Sequence, residues 1–246
     1  ESTTGLSSED AVSKIRGKAG TQVVLKVVHK GQSESKDITI TRGKIAIKSV
    51  KLETKTVNNK KIAVIKINQF GDDTKALLDQ TIDKVTTGGY AGVVVDLRNN
   101  PGGYLETAVQ TISDWIDEDQ VAVKEVGFNN AEHLYKTEGM PRLKGMKTVI
   151  LVNGGSASAS EIVAGALQDY GAATLVGEKT FGKGSVQELE NLRSDSEIKI
   201  TVAKWYTPKG RGIHKIGLEP DIKVELTTDD AKANRDPQMD KALGLF

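Results

Sequence analysis

Between about residues 60 and 177, short apolar runs alternate with stretches in which apolar residues recur every three or four positions. KIAVIKINQF reads as a strand, and DTKALLDQTIDKV places Leu78, Ile82 and Val85 on one helical face. YAGVVVDLR is a continuous apolar strand of the kind buried on both faces. It runs into the sharp turn NNPGG and the amphipathic helix YLETAVQTISDWI. A hairpin is expected over 121–135, then a buried strand in TVILVN and a helix in SASEIVAGALQDYG, closed by Gly171. Repetition of strand, turn and helix predicts a layered α/β core. Ligands are expected at the carboxyl ends of its strands, where NNPGG and GGSAS both fall. Further strands in TLVGEK, SVQELE and IKITVAKWYT lead to a break at PKGRG and a polar, helical tail over 227–246.

The first 40 or so residues follow a different pattern. SSEDAVSKIRGKAG predicts a helix with Ser7 or Ser8 as N-cap, Ala11, Val12 and Ile15 on one face, and Gly17 or Gly20 at its end. TQVVLKVVHK and KDITITRGK flank the turn-rich GQSES, and alternation from Asp37 to Thr41 suits a half-buried hairpin. One helix and two strands are too little for a stable domain. The opening ESTTGLSSEDAV, without methionine, suggests a processed or excised piece with any anchor upstream.

Composition narrows the chemistry. With 246 residues the chain can bury a substantial core. Its 34 basic and 33 acidic residues leave a net charge of +1, so no global field points to nucleic acid or an anionic membrane. The absence of cysteine removes disulfides, thiolate catalysis and cysteine-ligated zinc. No apolar run approaches the roughly 18 residues of a membrane span.

GGSASASE alternates Ser156, Ser158 and Ser160 with alanine at a strand-to-helix junction. Ser158 with Glu161 three positions later is a capping box, which alone explains a serine there. The same position also suits a nucleophile, exposed at the site face beside N–H groups and the positive end of a helix dipole. Such a serine needs a base. The imidazoles are His29, His133 and His214, with Asp221 as a conceivable third member beside His214. Lysine is the better candidate: GEKTFGKGSVQ holds Lys179 and Lys183 in a glycine-rich loop that lacks the order of a phosphate-binding P-loop. No HExxH occurs and the three histidines are scattered, so neither metal nor organic cofactor is expected. Spacing and capping leave the choice among the three serines open.

SASASE, GEKTFGKGSVQ, DLRNNPGG and KWYTPKGRGIHKIGLEPDI together resemble the carboxyl-terminal processing peptidases, or tail-specific proteases, and the residue text is close to their Bacillus sporulation-type members. The resemblance runs over essentially the whole chain. In that family a lysine follows the serine by 25 residues and a glutamine lies four further on; here 183 − 158 = 25 and 187 − 183 = 4. The resemblance therefore implies Ser158 as nucleophile, Lys183 as general base and Gln187 orienting the amine without adding charge. Lys183 would have to lose its proton near the working pH, which burial in an apolar pocket favours. Oxyanion donors are expected from the N–H of Ala159 and from Gly102 or Gly103.

The implied fold is a layered α/β core like that of the ClpP and crotonase superfamily, with residues 43–226 as serine protease core with linker strands and 227–246 as a helical tail. Residues 1–42 resemble the last helix and strands of a PDZ domain, lacking the carboxylate loop and the strand that binds peptides. The implied activity is endopeptidase cleavage near flexible protein C-termini through an acyl-enzyme. The implied location is extracytoplasmic (periplasmic, secreted or in the spore intermembrane space), with a membrane anchor upstream. Homo-oligomers and regulatory partner proteins belong to the same expectation; nucleic acid does not. Two rivals stand beside it: a protease-fold regulatory protein held inactive, and a crotonase-like acyl-CoA enzyme. Trp205 and Tyr206 are expected to pack, and Lys209, Arg211 and His214 to line or shape the site.

Overall fold

The computed structural model describes residues 5–6, 8–28, 34–43, 48–191 and 196–246; Ser7, His29 and most of the GQSES turn lie outside the described residues. The chain divides into two compact units, 1–47 and 48–246.

In the first unit, helix α1 (Ser8–Ile15) precedes the antiparallel pair β1 (Gln22–Val28) and β2 (Ser35–Thr41). Arg42 closes it, donating to Ile15 O at 2.7 Å, to Thr21 Oγ1 at 2.9 Å and to Gln22 O at 3.0 Å. Ile38 is half-buried but Ile40, on the same face, is exposed, so the expected alternation is only partly used. A two-stranded sheet cannot cover both ends of its own face.

The second unit opens with β3 (Val50–Val57) and β4 (Lys60–Ile67), joined through Asn58 and Asn59. Both asparagines have positive φ, 50° and 62°, as the tight hairpin turn that matches strand twist requires. There follow α2 (Thr74–Thr87), β5 (Gly92–Asp96), α3 (Leu105–Ile112), β6 (Val121–Gly127), β7 (Glu132–Lys136) and β8 (Thr148–Val152). Next come α4 (Ala159–Asp169), β9 (Thr174–Gly177), β10 (Ser185–Asn191), β11 (Glu197–Tyr206), β12 (Ile222–Lys223), α5 (Thr228–Lys232) and α6 (Pro237–Leu243). Strand β3 falls where linker strands are expected from residue 43 on, but its exposed, lysine-bearing pattern gave it no range in the sequence.

Six strands form one sheet in the order β12-β9-β8-β5-β4-β3, parallel except for the edge strand β3. Parallel strands need crossovers; α2, α3 and α4 supply three of the four, and the one from β9 to β12 runs through β10 and β11. Leu78, Ile82, Ile112, Ile162 and Leu167 from those helices pack with Ile65, Val95 and Ile150 on one face of the sheet. The alternate strand residues, Ile62, Val94, Val149, Leu151 and Val176, face the other way and meet Ala242, with Met239, Leu243, Leu245 and Phe246 packed around them. Each fully buried Ile or Leu contributes about 1.5–3 kcal/mol, so β5 and β8 are committed from both sides. The helical reading of 227–246 thus meets two short helices, the second seated on the back of the sheet.

A second, antiparallel sheet runs β10-β11-β6-β7 and brings Val123 and Trp205 to the first core. In the large sheet β5 and β8 are neighbours, Asp96 opposite Leu151. The turns that leave their carboxyl ends, NNPGG and GGSAS, therefore begin side by side.

Candidate active site

The three serines at the start of α4 have three different surroundings. Ser156 is fully buried; its Oγ donates to Leu97 O at 2.8 Å and accepts from Asn153 N at 3.0 Å. Ser160 is equally buried and donates to Asn100 O at 3.0 Å. Both fasten the helix start to the turn after β5. Ser158, half-buried, faces a cavity of about 400 Å³ lined also by Leu105, Glu125, Tyr135, Lys183, Val186, Gln187 and Trp205. Its backbone lies at φ 54°, ψ −117°, outside the extended region an ordinary N-cap adopts. A non-glycine residue there stores on the order of 1–3 kcal/mol of strain, as at the sharp turns that carry nucleophiles.

Lys183 reaches the same cavity from the loop after β9, and that loop is held along its length. Phe181 N donates to Ser156 O at 3.0 Å, Lys215 N to Gly182 O at 2.7 Å, and Trp205 N to Gly184 O at 2.8 Å. Thr180 N donates to Leu218 O at 3.1 Å, while Leu218 N donates to Thr180 Oγ1 at 2.7 Å. Gln187 lies on β10 just past a register shift between Val186 and Gln187. That irregularity interrupts strict alternation, so Ser185, Val186 and Gln187 all line the cavity. Among the described residues no hydrogen bond joins Ser158 Oγ to Lys183 Nζ; the two share a cavity. The other loop lysine, Lys179, is committed to Glu219 at 2.8 Å.

The NNPGG turn separates its glycines. Gly102 is buried and donates its N–H to Asn100 Oδ1 at 2.9 Å, and Asn100 in turn anchors to Ile67 O at 2.8 Å. Gly103 is exposed and bridges Phe70 through its neighbours: Phe70 N donates to Gly102 O at 2.9 Å and Tyr104 N to Phe70 O at 2.8 Å. In such a parallel bridge the N–H of Gly103 itself points the opposite way. Among the described residues neither Gly103 N–H nor Ala159 N–H has an acceptor. The two glycines sit at φ 102° and 144°, and a Cβ on Gly102 would lie 2.7 Å from Ser158 Cβ and 2.9 Å from Ala159 N. Close approach of this turn to the serine demands glycine.

Glu125 and Tyr135 form the far wall, a feature sequence reading missed because they come from two strands of a hairpin with no motif. Tyr135 donates to Glu125 Oε2 at 2.8 Å. Burial, together with the adjacent carboxylate, pushes its phenol up to about 12, so it stays a donor across the neutral range. The Tyr135 and Trp205 rings stand edge to face at 6.0 Å; Trp205 both packs and lines the site.

The histidine alternatives are not assembled. His133 is exposed on β7, 4.5 Å from the Tyr135 ring. Asp221 accepts from Gln168 at 2.9 Å and from Leu175 N at 2.7 Å, so it is occupied apart from His214, whose buried Nδ1 has no partner among the described residues. Arg211 pairs with the buried Asp169 at 2.6 Å, at the carboxyl end of α4, the opposite end from Ser158. Among the described residues no group of three His, Cys, Asp or Glu side chains could hold a metal ion.

Residues 61–224 match the description "Peptidase family S41". A protein of Staphylococcus haemolyticus named "Probable CtpA-like serine protease" is 42% identical over 225 residues, 91% of this chain and 44% of its own length. One of the same name in Staphylococcus aureus is 41% identical over 222 residues, again 44% of its length. The chain thus spans less than half of these relatives. The solved photosystem II D1 C-terminal processing protease superposes with a TM-score of 0.75 at 31% identity, over 89% of this chain and 60% of that one.

Proposed function

Because the chain belongs to peptidase family S41, we propose that it is the core of a serine endopeptidase working through a Ser–Lys pair. What supports the reading is that, of three alternating serines, Ser158 alone enters the cavity that Lys183 and Gln187 line. It does so from a strained turn, beside two backbone donors that have no acceptor among the described residues.

In this reading Ser158 Oγ attacks the scissile carbonyl as its proton passes to the neutral Lys183 amine, with Gln187 orienting that amine. Charge growing on the carbonyl oxygen is met by the N–H groups of Ala159 and Gly103, at the positive end of the α4 dipole. Gly102 serves differently, closing the turn through Asn100. The lysine then protonates the leaving amine, and water attacks the acyl-enzyme by the reverse path. The Ser158–Lys183 hydrogen bond forms when substrate fills the cavity, as catalytic contacts commonly tighten on binding. A crotonase-like acyl-CoA enzyme would share the two backbone donors but has no use for Lys183 and Gln187.

The substrates of this reading are flexible protein C-termini, supported by the likeness to a D1 C-terminal processing protease. Residues 1–42 belong to the same proposal as the C-terminal part of a PDZ domain, on the resemblance of their sequence. An extracytoplasmic place, an upstream anchor, self-assembly and regulatory partners belong to the same proposal.

Hydrolysis of casein by the chain, Ser158→Ala and Lys183→Ala is the direct test. Both variants are expected to lose at least about 1,000-fold in kcat. Turnover that survives Ser158→Ala would end the proposal.

A further inference from the structure

We propose that Glu161 is a positioning residue that sets the backbones of Ser158 and Lys183 against each other through one carboxylate oxygen. The inference rests on the Ser–Lys reading. Glu161 is fully buried at the first turn of α4. Its Oε2 accepts from Ser158 N at 3.1 Å and from Lys183 N at 2.8 Å. Its Oε1 accepts from Gly182 N at 2.7 Å and from Thr180 Oγ1 at 2.5 Å. Two residues 25 apart in sequence, on separate elements, thereby share an acceptor atom.

The chemistry of this arrangement calls for a carboxylate. Four donors converge on two oxygens, and no basic side chain pairs with Glu161 among the described residues, so its burial is offset by hydrogen bonds alone. An amide offers one acceptor oxygen and turns an NH2 toward the remaining donors. A shorter carboxylate keeps the acceptors but shifts them by a methylene. Glu161 does not line the cavity, so it acts through the two residues it fastens. Because a displacement of about 1 Å between reacting groups can cost on the order of 100-fold in rate, a clamp on both backbones bears directly on proton transfer. A capping box accounts for the Ser158 contact only; the contacts to 180, 182 and 183 go beyond any helix cap.

The experiment compares parent, Glu161→Gln, Glu161→Asp and Thr148→Val in peptide hydrolysis, in labelling of Ser158 by a small fluorophosphonate, and in thermal unfolding. Thr148 is a control at the amino end of β8. Its Oγ1 accepts from Trp115 Nε1 at 2.8 Å and donates to Met146 O at 2.9 Å, so its loss destabilises away from the site. For Glu161→Gln the expected result is a fall in kcat of about 100-fold with KM within about threefold, and a parallel fall in labelling rate. Glu161→Asp should lie between it and the parent, and Thr148→Val should keep kcat within about twofold despite a comparable drop in melting temperature. If Glu161→Gln does not fold, Glu161→Asp carries the comparison. Variants at Glu161 whose kcat follows their melting temperature as Thr148→Val does would overturn the inference while leaving the peptidase reading intact. Activity that survives Ser158→Ala would overturn both.

Discussion

At the scale of single residues, alternating serines show how one short stretch divides structural and chemical duties. Removing the Ser156 hydroxyl leaves Leu97 O, buried, without that donor. The expected cost of Ser156→Ala is about 1–3 kcal/mol, read as a lower unfolding midpoint, with kcat reduced only modestly. Ser158 carries the opposite balance. Its φ of 54° is a conformation glycine adopts freely, so relief of strain offsets glycine's entropic cost of roughly 0.5–1 kcal/mol. Ser158→Gly is therefore expected to unfold no earlier than the parent in calorimetry while being inactive. A clear drop in its midpoint would show that the turn is unstrained.

At the scale of elements, the strand that carries NNPGG is tied to the end of the chain. Arg98, just after β5, donates to Asp96 at 2.9 Å and to Asp236 at 2.8 and 2.9 Å, and its Nη1 reaches Gln238 at 3.1 Å. Asp236 also caps α6, accepting from Met239 N at 2.9 Å. Burial acts to raise the Asp236 carboxyl, but Arg98 and the cap outweigh it and hold the group below its ordinary value. A depressed folded value contributes stability above the unfolded value, about 3.9, and that contribution is lost as pH falls through the folded one. The melting temperature of the parent should thus fall faster below about pH 4 than that of Asp236→Asn, which starts lower and lacks this titration. Parallel curves for the two between pH 2.5 and 6 would remove Asp236 from the account.

At the scale of the whole molecule, the back of the six-stranded sheet depends on the last twenty residues. Phe246 lies so close over β5 that a Cβ on Gly92 would come within 2.2 Å of its ring, and Lys147 Nζ stands 5.8 Å from the ring centroid. A chain ending at Gly244 is expected to lose about 2–5 kcal/mol in denaturant unfolding, because the Leu245 and Phe246 side chains leave the cluster around Val94 and Val149. An unchanged midpoint would mean that the back face is covered without them.

The alternation of buried strands and amphipathic helices, the two turns at the strand ends, and the spacing of serine, lysine and glutamine are all local patterns, and sequence by itself determined them. Hydrophobic periodicity is enforced residue by residue by burial, so the α/β core was legible without coordinates. Edge strand β3, half-exposed and rich in lysine, carried no such signal, and the polar pattern of 227–246 hid how few apolar residues suffice to seat α6. Tertiary structure alone decided which serine faces the cavity without appeal to resemblance, which glycine N–H is left without an acceptor, and that Glu161 touches both loops. Those facts depend on where backbone groups from strands β5, β8 and β9 meet in space. Every residue but proline carries the same backbone donor and acceptor, and only the fold determines which of them converge.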